Sequence, residues 1–465
     1  MTYPPMKDMK DGRNPRYAII GGGLTGIAAA IACLKHINNP AELWLFEPSG
    51  CVSGGIAYGE AAPYHLLNIR AHEVSVIPDQ PDDFLVWCLG RLGCGHEESD
   101  LKAELSHRFL PRKLLRDYLE DRLNEARLEN PHVNIFYVNQ SVDTIHPDQA
   151  GYHLDVADGD GLSVDKVMLA AGYHRPLSRH RKGLLGPYDR ITKDMAAEAQ
   201  SALLLGTGLS MVDAYLSLRE AGYEGVVTAL SRRALMPQPH EPVCAPDYEL
   251  PDLKGLSIRQ MTRLVRTEAR RLQDAGYGEQ AIFRSLRKQA RILWQNLDIK
   301  QQKRFLRHIK PYWDSFRHRM PTHLRKRLLK DMEKGSLRIE RGRITGLDPE
   351  KGSVAFRRKG AQPDQKDEQL QSDIIIDCRG HRPNIAHSAV QTLINQGLAF
   401  IDDHHLGLKV DQRGAIIKAD GTASKDLFAL GPLGLGSLFE ISGIPEIVSQ
   451  VNQAAQFLAP KNRLT

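Results

Sequence analysis

Cysteine is scarce and scattered in this chain. Cys33, Cys51, Cys88, Cys94, Cys244 and Cys378 form no C-x-x-C pair and no spacing suited to a metal ion. The scatter predicts a reducing, cytoplasmic setting. It also argues against a dithiol relay, which needs two thiols close together, whereas Cys51 stands alone after the first glycine-rich turn. No apolar run approaches the roughly 20 residues needed to span a bilayer. The opening stretch "MTYPPMKDMKDGRNP" has no apolar centre like that of a signal peptide, and it reads as a frayed leader. Low-complexity tracts are absent as well.

What is present is globular. The 465 residues are 42 % hydrophobic and 25 % charged, enough for two or three domains with ample core. Charge is unevenly spread. Of a net +6, the stretch from Lys254 to Arg343 carries +17 (25 Lys/Arg against 8 Asp/Glu), which leaves −11 for the rest. Such a block can attract nucleic acid or an acidic substrate. Here the charges are interleaved with Leu, Ile, Phe and Trp at three- and four-residue spacing, so they read as the solvated face of packed helices.

The stretch "RYAIIGGGLTGIAAAIACL" runs from an apolar strand through Gly21-Gly22-Gly23-Leu24-Thr25-Gly26 into an Ala-rich helix. A second strand, "AELWLFE", ends at Glu47, 21 residues after Gly26. Strand, turn, helix and acid in that order form a dinucleotide fingerprint. Gly21 makes the turn, Gly23 lets the backbone approach a diphosphate, and Gly26 lets the helix pack on the strand. The free N–H groups of the helix start, at Leu24 and Thr25, face the anion. Glu47 can accept from the ribose hydroxyls.

A second such unit opens at Ala202 in "ALLLGTGLSMVDAYLSL". Gly206 and Gly208 match the two glycines that approach a ligand, but Met211 replaces the third, which predicts a wider helix–strand spacing without loss of binding. The next strand ends in Ser231-Arg232-Arg233 where the first unit has Glu47. A hydroxyl with guanidinium groups suits a 2′-phosphate, so NADPH is expected over NADH.

The fold class expected is α/β, with two Rossmann-like three-layer dinucleotide-binding domains and a helical basic insertion. The domain reading is 1–200 for the first part of an FAD-binding domain and 201–335 for an NAD(P)-binding domain with a helical segment at 252–335. Residues 336–465 would then return to the first domain. "FLPRKLLRDYLEDRLNEA" reads as an amphipathic helix with Leu114, Leu115, Tyr118, Leu119 and Leu123 on one stripe. Buried strands end at Gly172 in "DKVMLAAGYHRP" and at Gly380 in "SDIIIDCRGHRPN", and "GAQPDQKDEQLQ" reads as a hairpin loop.

"IIGGGLTGIAAAIA", "GIAYG", "HLLNIRAHEVSVIPDQPDDFLVWC", "FLPRKLLRDYL", "LLLGTGLSMVDAYLSL" and "DLFALGPLGLGSLFEISGIPEIVSQ" together resemble the bacterial family of FAD/NAD(P)-binding proteins. That family is distantly similar to flavin-containing and N-hydroxylating monooxygenases. The resemblance implies FAD and NADPH as cofactors, with Gly55, Gly172, Gly380, Gly431 and Ser437 added to the cofactor contacts. It places Asn68 in a flavin-side loop, as a donor near the reacting flavin. Two departures stand out. Gly431-Pro432 stands where related flavoproteins have Gly-Asp, so the segment Gly434–Ser437 and the helix near Pro445 would supply those contacts. The F-x-G-x-x-x-H signature is missing too, since "GLLGPYDRI" lacks the histidine.

The function implied is an NADPH-using monooxygenase that inserts oxygen into a small amine-type nucleophile by way of a flavin C4a-(hydro)peroxide. The alternatives are a flavin oxidase or reductase without oxygen insertion, and a redox-responsive binding protein that contacts a partner or RNA. Expected partners are a small-molecule substrate and molecular oxygen, with no membrane, no metal and no nucleic acid; oligomeric state stays open, a dimer included. His65, His240 and His381 flank the ligand segments as acid–base candidates.

Overall fold

The computed structural model describes residues 13–50, 52–92, 99–149, 151–157, 159, 161–174, 182–241, 248–362 and 365–459. Cys51, Cys94, Cys244 and the leader up to residue 12 lie outside them. The chain forms two compact units. The first comprises Met1–Ala61, Ile69–His174 and Arg382–Thr465, and the second Ala62–Asn68 and Arg175–His381.

In chain order the first unit contributes β1 (Arg16–Ile20), β2 (Ala41–Phe46), β3 (Val133–Val138), β4 (Val142–Asp148), β5 (Gly151–Val156), β6 (Leu162–Val164) and β7 (Lys166–Leu169). The second contributes β8 (Ser201–Leu205), β9 (Val226–Ser231), β10 (Leu337–Asp348), β11 (Ser353–Arg358), β12 (Glu368–Gln371) and β13 (Ile374–Asp377). The chain then returns to the first unit with β14 (Ala415–Ile417) and β15 (Ala423–Ala429).

The main sheet of the first unit has the order β14-β15-β7-β1-β2-β3. All its pairings are parallel except β14 on β15. Parallel strands are covered on both faces, which is why "YAII" and "LWLF" are continuous apolar runs rather than alternating ones. The helix Leu24–His36 is buried from Thr25 through Leu34. It packs against the helices Leu114–Glu129 and Ile444–Leu458. On Leu114–Glu129 the predicted stripe is buried at Leu115, Tyr118, Leu119 and Leu123, and Ala126 joins it; Leu114, at the first turn, is only half-buried. Strands β4, β5 and β6 form a separate antiparallel sheet.

The second unit repeats the parallel core, with β13, β8, β9 and β10 side by side, and extends it by antiparallel β11 and β12. Here the domain boundaries differ from the sequence reading. Apart from the short excursion Ala62–Asn68, the crossing comes at 174/175 instead of 200/201, and the return comes at 381/382 instead of 335/336. The cause is pairing: β10 lies parallel on β9, and β13 lies parallel on β8, so residues 337–377 complete the second sheet. Part of the expected hairpin loop, Glu368–Gln371, is the edge strand β12.

The basic block is helical, with Ile258–Asp274, Gln280–Asn296, Ile299–Arg304, Lys310–Arg317 and Thr322–Glu333. Its apolar stripes meet one another through a ring cluster. Phe283 stacks on Phe316 at 4.5 Å, and Trp313 and Trp294 pack around Phe305. The block is bonded to the segment that follows β9. Ser315 Oγ donates to the Met236 carbonyl at 2.7 Å, and Thr322 Oγ1 donates to that of His240 at 2.7 Å.

Candidate dinucleotide-binding site

The two glycine turns share one geometry. Gly21 N–H donates to the Phe46 carbonyl at 2.9 Å, and Gly206 N–H donates to that of Leu230 at 2.8 Å, so each turn is hung from the neighbouring strand. Gly21 has φ +111° and Gly206 φ +120°, a region that L side chains rarely enter. A Cβ on Gly21 would lie 2.4 Å from the Ala170 carbonyl oxygen, and one on Gly206 would lie 2.3 Å from that of Cys378. Both helices then start from an extended glycine, Gly23 and Gly208, with no side-chain cap. Their first N–H groups are therefore available to an anion.

Each turn also leaves room for a ligand. At Gly208 an added Cβ would meet nothing within 4 Å, and at Gly23 it would meet only Gly55 Cα, at 3.6 Å. Gly55 (φ +52°) thus presses its bare backbone toward the first turn, as does Ser53, whose N–H donates to the Gly22 carbonyl at 2.8 Å. Gly172 (φ +61°) and Gly380 (φ +93°), each just beyond a strand of its own unit, likewise have nothing within 4 Å of an added Cβ. These open backbone cradles fit a diphosphate in each unit.

The third position separates the turns. At Gly26 an added Cβ would stand 1.8 Å from the Gly21 carbonyl oxygen. Its counterpart Met211 is wholly buried in the core of the second unit, together with Leu204, Met236 and Cys378. Gly26→Ala should therefore destabilise the protein by about 3 kcal/mol or more, because backbone and not a flexible side chain must move. Gly90→Ala, where nothing lies within 4 Å, should be neutral or stabilising by up to ~1 kcal/mol. Urea unfolding of the two variants checks the contrast.

The residues after the second strand of each unit also differ. Glu47 is half-buried; its Oε2 accepts from Gly22 N–H at 2.9 Å, and Oε1 accepts from Ser49 N–H and Oγ. Three lone-pair sites are filled, and one remains for a ribose hydroxyl. In the second unit Thr207 Oγ1 donates to the Leu235 carbonyl at 2.6 Å, so the hydrogen of the Ser231–Thr207 bond (2.9 Å) comes from Ser231. Ser231 Oγ also accepts from Ala234 N–H at 3.0 Å. Its single proton is committed to bracing the turn, so Ser231 Oγ is not free to donate to a phosphate as foreseen. Arg232 is exposed. Arg233 lies 5.2 Å over the Tyr312 ring and donates to the Arg307 carbonyl at 2.8 Å, so the helical block holds its guanidinium in place.

Other predicted residues have partners within the protein. Thr25 is buried under Gly431, where an added Cβ would reach Thr25 Oγ1 at 2.6 Å. Gly431 (φ +61°) donates its N–H to Gln450 Oε1 at 2.8 Å. Ser437 Oγ accepts from Val410 N–H and donates to the Leu408 carbonyl, so that side chain anchors a loop. The helix Leu435–Leu438 is a single turn, whereas Ile444–Leu458 carries Pro445 in its first turn as expected. Asn68 belongs to the second unit, and its carbonyl accepts from His240 Nε2 at 2.9 Å. His65 is 1 % exposed; its Nδ1 accepts from Ala62 N–H, and Nε2 faces Ser217 Oγ and the Asp213 carbonyl. That network makes it a neutral, satisfied histidine rather than an acid–base group. His381 stacks on Tyr188 at 6.1 Å.

Two features escaped sequence reasoning. Past β13, Arg379 forms a forked pair with Asp377 (2.8 and 2.6 Å), legible only as D-x-R once the strand end is known. Burial pushes the thiols of Cys33 and Cys88 up to about 12 and raises that of Cys378, so none of the three is a thiolate at neutral pH. Among the described residues no His/Cys/Asp/Glu group could hold a metal ion, and no helix is long and apolar enough to cross a membrane.

A family described as FAD-NAD(P)-binding matches residues 18–174. The first unit carries an FAD-NAD(P)-binding segment. This segment contains the first glycine turn, Glu47, Gly55 and the helix Leu114–Glu129. No curated protein matches the chain by sequence. Among solved structures the chain is similar to ornithine N-hydroxylase from Kutzneria sp. 744, in complex with reduced FAD, NADP+ and L-ornithine. That similarity has 13 % identity and a TM-score of 0.61, over 96 % of this chain and 99 % of that one. It is similar to L-lysine 6-monooxygenase from Pseudomonas syringae at 14 % identity and a TM-score of 0.60, with coverages of 96 % and 99 %. It is also similar to bacillithiol disulfide reductase from Bacillus cereus at 13 % identity and a TM-score of 0.54, with the same coverages. The chain thus shares the fold of these three proteins.

Proposed function

We propose that the chain is an FAD-dependent, NADPH-using oxidoreductase, with FAD on the first unit and NADPH on the second, and that it oxygenates a small amine-type nucleophile. The observation that carries the cofactor part is the pair of matched turns with unlike strand ends, Glu47 in one and Arg232-Arg233 in the other. A carboxylate accepts from ribose hydroxyls and repels a phosphate, whereas guanidinium groups attract one. FAD would rest on the N–H groups of Leu24 and Thr25 with Glu47 at its ribose. NADPH would rest on those of Leu209 and Ser210, with its 2′-phosphate at Arg232 and Arg233.

When bound, the flavin supplies hydride acceptance and subsequent reaction with oxygen. The protein's part is to bind and orient. His240 fixes the backbone of Asn68, and His65 ties the same segment to the helix Leu209–Glu220, so Asn68 is held in a set position. Oxygenation, rather than thiol chemistry, is supported by the burial of the three described cysteines and by the lack of a C-x-x-C pair in the sequence. The likeness to two amino-acid N-hydroxylating enzymes points the same way. The alternative, a reductase without oxygen insertion, draws on the likeness to a disulfide reductase.

NADPH oxidation, oxygen consumption and hydroxylated product should be measured together for a panel of primary amines. Product formed in proportion to NADPH supports the oxygenase. NADPH consumed with peroxide and no product from any amine assigns the reductase or oxidase. A flavin that NADPH fails to reduce removes the cofactor assignment itself.

A further inference from the structure

The helix Leu114–Glu129 begins with the wrong sign of charge. Arg112, Lys113 and Arg116 crowd its N-terminal end, where the helix dipole favours anions. The one acid in the first turn, Asp117, is paired with Arg91 at 3.0 Å. Among the described residues the Arg116 side chain makes neither a hydrogen bond nor an ion pair, and its Nε is sealed from solvent with no acceptor. A guanidinium cannot shed its charge to escape such a position, and a buried donor without an acceptor is costly.

Its surroundings say what would satisfy it. Arg116 Cδ lies 3.7 Å from where a Cβ on Gly54 would stand, and the next residue, Gly55, is the one that abuts Gly23 of the first turn. Arg112 is buried beside the same short segment, where its charge offsets part of the burial that raises the Tyr58 phenol. Two arginines, Arg112 just before the helix and Arg116 in its first turn, therefore lie beside the strip of bare backbone that faces Gly23. We infer that Arg116 is a cation for the diphosphate of the dinucleotide on the first unit, a contact that the glycine fingerprint does not encode. The inference rests on the reading that this unit takes FAD.

Three proteins test it: wild type, Arg116→Met, which keeps the apolar stem, and Arg116→Lys, which keeps the charge but loses the fork. Each is stripped of flavin, its melting temperature is recorded, and FAD is titrated back by flavin fluorescence. The expected result is an FAD Kd raised about 10- to 100-fold in Arg116→Met and by less in Arg116→Lys. The flavin-free melting temperature of Arg116→Met should be unchanged or higher, because an unsatisfied buried donor has gone. An unchanged Kd overturns the inference. So does a raised Kd accompanied by a lower flavin-free melting temperature, which would make the arginine a packing residue. Wild-type protein that takes up no FAD would instead overturn the reading of the first unit, and the inference with it.

Discussion

A Gly23→Val protein should fold, purify in normal yield and be colourless. The backbone at residue 23 is extended, with φ −75° and ψ −170°, which suits a β-branched residue. The new Cβ would meet only Gly55 Cα, at an ordinary 3.6 Å. The isopropyl group would, however, occupy the space in front of the Leu24 and Thr25 N–H groups, where the diphosphate must come. Losing two charge-assisted hydrogen bonds is worth about 4 kcal/mol, roughly a thousandfold in affinity. Absorbance at 450 nm relative to 280 nm, with circular dichroism as the check on folding, reads the outcome; a folded variant with full flavin content would falsify the placement of FAD. Gly208→Val is the companion. Nothing lies within 4 Å of the added Cβ, so this variant should stay yellow and lose reduction by NADPH.

The double variant Arg232→Met/Arg233→Met should raise the apparent NADPH constant at least tenfold, and as much as about a thousandfold. Each lost charge-assisted bond to the 2′-phosphate is worth about 1.5–3 kcal/mol. The constant for NADH, which has no such phosphate, should hardly move. The rate of flavin reduction at saturation should also change little, because the contact is made equally in the ground and transition states. Ser231→Ala gives the contrast that separates recognition from scaffolding. That hydroxyl braces Thr207 and Ala234, so its loss should weaken NADPH and NADH alike. Stopped-flow reduction with both nucleotides distinguishes the variants, and an NADPH preference that survives in the double variant would exclude these arginines as phosphate ligands.

Both turns were legible in the sequence because their information is local. Strand, glycine turn, helix and strand-end residue follow at fixed spacing, and the structure places Gly21, Gly23, Gly206 and Gly208 in the positions that spacing implies. Pairing across long separations was not legible. Nothing near residue 337 announces that β10 will lie on β9, or that β13 will lie on β8, so the second unit extends 46 residues beyond the expected boundary at 335. The fate of individual hydroxyls was hidden for a related reason. Ser231 reads as a phosphate donor until Thr207 and Leu235 are seen to fix where its hydrogen goes. His65 reads as a free base until Ala62 and Ser217 occupy both ring nitrogens.

The position of β15 between β14 and β7 bears on how the chain comes off the ribosome. Strand β7 ends at residue 169 and its neighbour begins at residue 423, a gap that takes roughly 10–50 seconds to synthesise at the usual rates. Throughout that interval one edge of the first sheet is open, and the apolar helix Leu24–His36 lacks the covering helix Ile444–Leu458. The second unit, nearly continuous from 175 to 381, can close in the meantime. Such a nascent chain carries an exposed apolar helix and an unpaired strand edge for most of its translation, the features that recruit chaperones and favour aggregation. The unit that is begun first is finished last.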